Sequence, residues 1–135
     1  MPLITWSQDM SVGVQEMDFQ HKGLIEIINK LSDAMSQGKG AQEVGKIVDK
    51  MILYAQRHFG AEERLMSVNG YPQLARQKAE HEAFLAKAND FKKDYLAGKI
   101  ALSLPISSFL KSWWTGHILV EDKQYGPYLN GKGVR

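Results

Sequence analysis

Every histidine in this chain falls on an apolar stripe of helical period. There are four histidines, and each recurs at steps of three and four with large hydrophobic residues. The first stripe reads His21, Leu24, Ile25, Ile28, Leu31, Met35. The second reads Val44, Ile47, Met51, Ala55, His58, Glu62, Leu65, and the third Leu74, Gln77, His81, Phe84, Ala88, Phe91. The fourth reads Ile106, Phe109, Trp113, His117, Val120. Such steps place each set on one face of an amphipathic helix, and that face must be buried. The chain therefore aims imidazoles from all four helices into its own core.

Glycine and proline punctuate the stripes. An irregular N-terminal arm spans about 1–16. Helices follow over roughly 18–36, stopped at Gly38-Lys39-Gly40, and over 41–68, stopped at Asn69-Gly70. A third runs from near Pro72 to Gly98. The fourth starts around Leu104-Pro105 and is expected to end before Gly126-Pro127. Strand-like alternation is absent and the connections are short. The expected fold is all-α: an up-down-up-down antiparallel four-helix bundle with an irregular N-terminal arm, one domain over 1–135.

Composition narrows the chemistry. The chain has no cysteine, so disulfides, thiolate metal sites and thiol catalysis are excluded. A net charge of +2 without a basic block gives no nucleic-acid footprint. No apolar run is long enough to span a bilayer, and the first residues do not read as a signal peptide. A cytoplasmic monomer without a membrane partner is expected.

A single histidine on an apolar face is ordinarily a hydrogen-bonded core residue. Four together, with Glu62 on the same stripe as His58, are different. Each buried polar group left unpaired costs on the order of 2–7 kcal/mol, and a charge costs more. A metal centre satisfies all of them at once, because imidazole nitrogens and carboxylate oxygens are its ligands. His58 and Glu62 are four apart, as are Gln77 and His81. His117 and Asp122 are five apart, about 140° around an ideal helix. That pair requires a local widening or a frayed last turn before both point inward. One octahedral ion does not need four histidines and two carboxylates; two ions bridged by Glu62 and Asp122 use them economically. Nitrogen and oxygen donors without sulfur suit iron, manganese, cobalt or zinc, and the ligand types alone do not choose among these.

The neighbouring residues carry simpler readings. Glu62 alone has a possible ion pair with Arg57 or Arg64, both off its stripe. Glu63 reads as solvated surface. Gln77 reads as a hydrogen-bond partner beside the site, with ligation through its amide oxygen as the weaker alternative. Trp113 reads as packing. Asp18 and Gln20 read as outer partners of the site, with Asp18 also a candidate cap of the first helix. No HExxH, no ExxH before any histidine, no GxSxG, Walker A or GxGxxG is present, so zincin, ferritin-like, hydrolase and nucleotide-binding readings fail.

The runs Asp18-Phe19-Gln20-His21, His58-Phe59-Gly60-Ala61-Glu62-Glu63, His81-Glu82-Ala83-Phe84 and His117-Ile118-Leu119-Val120-Glu121-Asp122 resemble the hemerythrin pattern. Trp6, Val12-Gly13-Val14, Gly70-Tyr71-Pro72 and Tyr125-Gly126-Pro127 resemble its bacterial members, so the similarity covers nearly the whole chain. The resemblance implies a non-haem di-iron centre that binds dioxygen reversibly, for storage, delivery or sensing. It implies His21 and His58 on the iron that takes up dioxygen and His81 and His117 on the other. Glu62 and Asp122 would bridge, together with an oxo or hydroxo group. The dioxygen pocket would be lined by Trp113, Trp114 and Ile118. Two residues depart from the family: Gln77 stands where it normally has histidine, and Trp114 where it usually has leucine. An oxygen-binding protein rather than an enzyme is the first expectation. The alternative is a di-iron peroxidase or oxidase using an open coordination position beside Gln77. No redox partner is identified by the sequence.

Overall fold

The computed structural model describes residues 3–39, 41–98 and 103–135. The expected arm residues Met1-Pro2 and the stop at Gly40 lie outside the described residues. Three helices, α1 (Gln15–Ser36), α2 (Ala41–Val68) and α3 (Leu74–Leu96), form the first three rods. The fourth rod is continuous: α4 (Ser103–Trp113), a π-helical segment (Trp114–Asp122) and α5 (Lys123–Gly131). α2 packs against α1 and α3, and α1 packs against α4. Among the described residues there is no strand, and the antiparallel four-helix bundle read from the sequence is the fold.

The turns follow from local chemistry. α1 and α2 end on Gly38 and Gly70, at φ +70° and +68°. Beyond each glycine the next amide folds back onto the last turn, Lys39 N–H to the Ala34 carbonyl and Tyr71 N–H to that of Met66, at 3.0 and 2.9 Å. That closure needs a left-handed residue, which glycine adopts without a Cβ penalty.

The arm ends earlier than the sequence suggested, with α1 beginning at Gln15. Asp18 does not cap that helix. Its carboxylate accepts hydrogen bonds from Ser11 Oγ at 2.6 Å and Val12 N–H at 2.8 Å, tying the arm back onto α1. Further up, Asn29 exchanges two hydrogen bonds with the backbone of Ile4. At the other end, Asn130 Nδ2 donates to the Gly13 carbonyl at 2.9 Å. The Val12 carbonyl lies so close to Gly126 that a Cβ there would sit 1.9 Å from its oxygen.

The last helix also runs further than the sequence suggested. Proline was expected to stop it, yet α5 continues through Pro127 to Gly131. An interior proline costs about 3 kcal/mol in lost hydrogen bonding and clash. Burial of Tyr125 and Leu129, 1 % and 0 % exposed, together with the arm's contacts, holds the segment helical against that cost, since tertiary packing supplies most helix stability in proteins.

Two apolar clusters fill the interior. The larger contains Leu24, Phe59, Phe84, Trp114 and Ile118. The smaller, at the arm end, contains Val12, Met17, Met66, Tyr125 and Leu129. α1 and α2 cross from one to the other through a polar step: Met17–His21–Leu24 in α1 and Phe59–Glu62–Met66 in α2. The fourth rod does the same through Ile118–Asp122–Tyr125. A layer of polar side chains thus lies inside an otherwise apolar bundle.

Candidate metal centre

The π-helical segment solves the problem posed by a spacing of five. In an α-helix His117 and Asp122 point well apart. In a π-helix the hydrogen bond closes over five residues, so each residue advances by only about 80° and the two come onto nearly one face. The segment Trp114–Asp122 contains both, and His117 and Asp122 are 2 % and 0 % exposed.

The same change of period corrects the fourth stripe. Val120, placed on the core face by an α-helical count, is 51 % exposed, whereas Trp114 and Ile118 are buried at 2 % and 0 %. Trp113 is half-buried and stacks on His117, centroids 4.5 Å apart and planes 14° apart. Trp114 stands edge-on to His21 at 6.0 Å. Glu121, carried inward with the segment, is 7 % exposed and pairs with Arg76 at 2.7 Å.

The structure brings His21, His58, Glu62, Gln77, His81, His117 and Asp122 into one buried layer, none more than 2 % exposed. The two carboxylates lie between two pairs of imidazoles. Glu62 Oε1 is 3.2 Å from His58 Nε2 and 3.4 Å from His81 Nε2, and its Oε2 is 3.4 Å from His21 Nε2. Asp122 Oδ2 is 3.2 Å from His21 Nε2, and its Oδ1 is 3.1 Å from His117 Nε2. Two groups of donor atoms result, each within 4.8 Å: His21, His58, Glu62, Asp122 and Glu62, His81, His117, Asp122. They share both carboxylates.

Proximity here is not satisfaction. His21 Nε2, His58 Nε2, Glu62 Oε1 and Asp122 Oδ2 are buried without a well-aligned hydrogen bond. His81 Nε2 faces His117 Nε2 at 3.2 Å, two ring nitrogens aimed at each other. Buried polar atoms are normally paired, and this convergence of lone pairs fits cations of the kind that imidazole and carboxylate bind. Burial opposes a charge on His21, but Asp122 and Glu62 outweigh it and raise its pKa to about 9. Burial alone would raise the Glu62 carboxyl; the charge of His58 and contacts from His21, His58 and His81 hold it well below its usual range instead.

Gln77 donates its amide Nε2 to Asp122 Oδ1 at 3.0 Å, the hydrogen-bonding role read from the sequence, while its Oε1 is buried without a partner. The outer ring nitrogens have their own supports. His58 Nδ1 is 2.6 Å from Gln20 Oε1, His81 Nδ1 is 2.8 Å from Glu63 Oε2, and His117 Nδ1 is 3.4 Å from Glu80 Oε2. Glu63 is therefore not simply solvated surface: its charge reaches the back of a buried imidazole.

Sequence reasoning missed three neighbours. Glu80 carries no signal beyond standing before His81. Phe59 stacks flat on His81, centroids 3.9 Å apart. Tyr125 donates a 2.5 Å hydrogen bond to Glu62 Oε2. Its place three residues after Asp122, on the same helix face, was the available clue.

Comparison with known proteins agrees with this arrangement. The sequence profile of the Hemerythrin HHE cation binding domain matches residues 12–129. A bacteriohemerythrin of Methylococcus capsulatus is 35 % identical over 96 % of this chain and 99 % of its own. One of Pseudomonas aeruginosa is 31 % identical over 93 % of this chain and 80 % of its own. Among solved structures, a wild-type hemerythrin superposes with a TM-score of 0.85 at 35 % identity, covering 94 % of this chain and 98 % of that one. A hemerythrin variant with a leucine replaced by tyrosine reaches 0.87 at the same identity, covering 96 % and 98 %.

Proposed function

The chain belongs to the hemerythrin family of di-iron, oxygen-binding bundles, and on that premise we propose that it binds dioxygen at two iron ions held in the buried polar layer. One observation carries the reading: Glu62 and Asp122 each approach imidazoles of both pairs, Glu62 meeting His21, His58 and His81 and Asp122 meeting His21 and His117. A carboxylate placed in this way could serve an ion on either side. His21 and His58 would hold the ion that meets dioxygen and His81 and His117 the other, and two irons held there would supply reversible one-electron redox chemistry.

The chain's own residues do the rest. Tyr125, locked on Glu62 Oε2, fixes one bridge, and Gln77, donating to Asp122 Oδ1, fixes the other. Trp113, Trp114 and Ile118, with Phe59 beneath His81, close the layer from the larger cluster and keep water out, which strengthens every electrostatic contact inside. Among the described residues no helix is long and apolar enough to cross a membrane. The test is metal analysis of protein prepared without air, with an absorption spectrum before and after oxygenation. Two irons per chain and a colour that reverses on deoxygenation are expected; a stoichiometry of zero after iron reconstitution defeats the proposal.

A second reading, a di-iron peroxidase or oxidase, draws on Gln77. Its nitrogen is engaged as a donor to Asp122, which leaves only the weakly donating Oε1 for the His81/His117 half. Turnover of peroxide with a reducing dye would favour this reading over reversible binding.

A further inference from the structure

The four imidazoles are not supported alike. On the His21/His58 half, the outer nitrogen of His58 meets the neutral amide oxygen of Gln20 at 2.6 Å, and that of His21 is buried with no hydrogen-bond partner. On the His81/His117 half, both outer nitrogens face carboxylates: Glu63 at 2.8 Å and Glu80 at 3.4 Å. This is also the half where Gln77, which the family resemblance sets in the place of a histidine, stands one helical turn before His81 with its Oε1 unpartnered. Charge is therefore concentrated behind the ligands beside the weak amide donor.

The two carboxylates reach inward from the bundle surface. Their side chains are 26 % and 34 % exposed, while the histidine side chains they meet are 2 % and 1 % exposed. Glu80 Oε2 and His117 Nδ1 are both buried and neither makes an aligned hydrogen bond, so Glu80 acts on this ring by its charge at 3.4 Å, whereas Glu63 meets His81 at hydrogen-bond distance. The buried edge of each carboxylate acts on an imidazole in a low-dielectric interior. An anion on Nδ1–H fixes the tautomer that presents Nε2 to a metal and raises the basicity of that nitrogen.

We propose that Glu63 and Glu80 are positioning residues whose charge, delivered through His81 and His117, makes up for the imidazole absent at Gln77. The ion on that half is thereby retained, and its more oxidised state is favoured over the reduced one. This rests on the di-metal reading above and adds to it a division of labour: neutral outer support on one half, anionic outer support on the other.

The experiment uses iron-loaded full-length chain carrying Glu63→Gln, Glu80→Gln or both. Glutamine keeps the size and an acceptor oxygen while removing the charge. Glu82→Gln, at an exposed position beside His81, controls for net charge. Three quantities are read: the release rate of each ion to a chelator, the midpoint potentials of the centre, and the thermal midpoint of the metal-free chain. The expected result is retention of one ion of two weakened about 10–100-fold, the magnitude typical of outer-partner loss. The associated potential rises, and the other ion's release stays at the wild-type rate. Unchanged release and potentials in the double variant overturn the inference. So does equal acceleration of both ions with a lowered metal-free midpoint, which marks a general loss of packing. A wild-type chain that binds fewer than two ions overturns the di-metal reading itself, and this inference with it.

Discussion

Gln77 donates its side-chain amide to the Oδ1 atom of Asp122 at 3.0 Å, the same oxygen that lies 3.1 Å from Nε2 of His117. One carboxylate oxygen is thus shared between a neutral donor and a buried imidazole. Gln77 thereby orients a carboxylate that meets imidazoles on both sides of the layer.

Replacing Gln77 by histidine restores a nitrogen donor at a buried, preformed position. Gln77→His is expected to slow release of the ion on the His81/His117 half by roughly tenfold or more, about 1.4 kcal/mol per tenfold, and to slow irreversible oxidation in air. The measurement is chelator-driven metal loss with absorbance of the air-exposed protein. If metal occupancy and oxidation rate match the parent, the substitution at this position is not what distinguishes the site.

Metal should stabilise the fold strongly. The free polar layer contains buried atoms without aligned partners, among them His21 Nε2, Glu62 Oε1 and Asp122 Oδ2. A ligand that binds only the folded state adds about 2.7 kcal/mol at a hundredfold excess over its Kd, a rise on the order of 10 °C for a chain of this size. Thermal unfolding with and without iron checks this. Equal midpoints would show that the cluster satisfies itself.

The metal-free chain should respond to pH in opposite senses through two groups. His21 has its folded pKa raised to about 9 from 6.5, because Asp122 and Glu62 overcome the burial that opposes its charge. Its contribution is complete below about 6.5 and is lost as pH rises through about 9. Glu62 is held well below its usual 4.5, so its contribution is present above that value and lost as pH falls further. These groups place the stability maximum of the metal-free chain between about 4.5 and 6.5. Because a metal takes the neutral ring, uptake should release protons and tighten as pH rises toward 9. Unfolding midpoints and proton release across this range provide the check; a metal affinity independent of pH would contradict the coupling.

Much of this arrangement is legible in the sequence. Periodicity placed His21, His58, Glu62, Gln77 and His81 on buried faces, because a 3.6-residue repeat holds along α1, α2 and α3. It failed at Val120 because the π-helical segment changes the angle per residue. The failure was signalled by the one pair, His117 and Asp122, whose spacing an α-helix does not accommodate. The extension through Pro127 was not legible: it depends on the arm's Val12 meeting Gly126, a contact between distant parts of the chain. Nor was the role of Glu63 or Glu80, since a carboxylate half in water looks the same in sequence whether or not an imidazole lies behind it.

Trp114 offers the sharpest test of what the site admits. Its indole is 2 % exposed, yet Nε1 is buried with no hydrogen-bond partner. One edge meets His21 at 6.0 Å, and the same residue lines a cleft of about 190 Å³ beneath the arm, together with Ile4, Met10 and Leu119. The ring therefore stands between that cleft and the polar layer. Two substitutions separate its bulk from its unpaired donor. Trp114→Phe removes the orphan N–H, worth about 1–3 kcal/mol of desolvation, while giving up part of the ring. These effects oppose, and stability is expected to stay within about 1 kcal/mol of the parent. Trp114→Leu gives up more volume and leaves a cavity, with an expected loss of roughly 2–3 kcal/mol. It should also speed oxidation of the iron-loaded chain by air, because the barrier facing the cleft is gone. Denaturant unfolding and stopped-flow oxidation of both variants decide the matter. If Trp114→Leu reacts no faster than Trp114→Phe and the parent, small molecules reach the metal layer by another route.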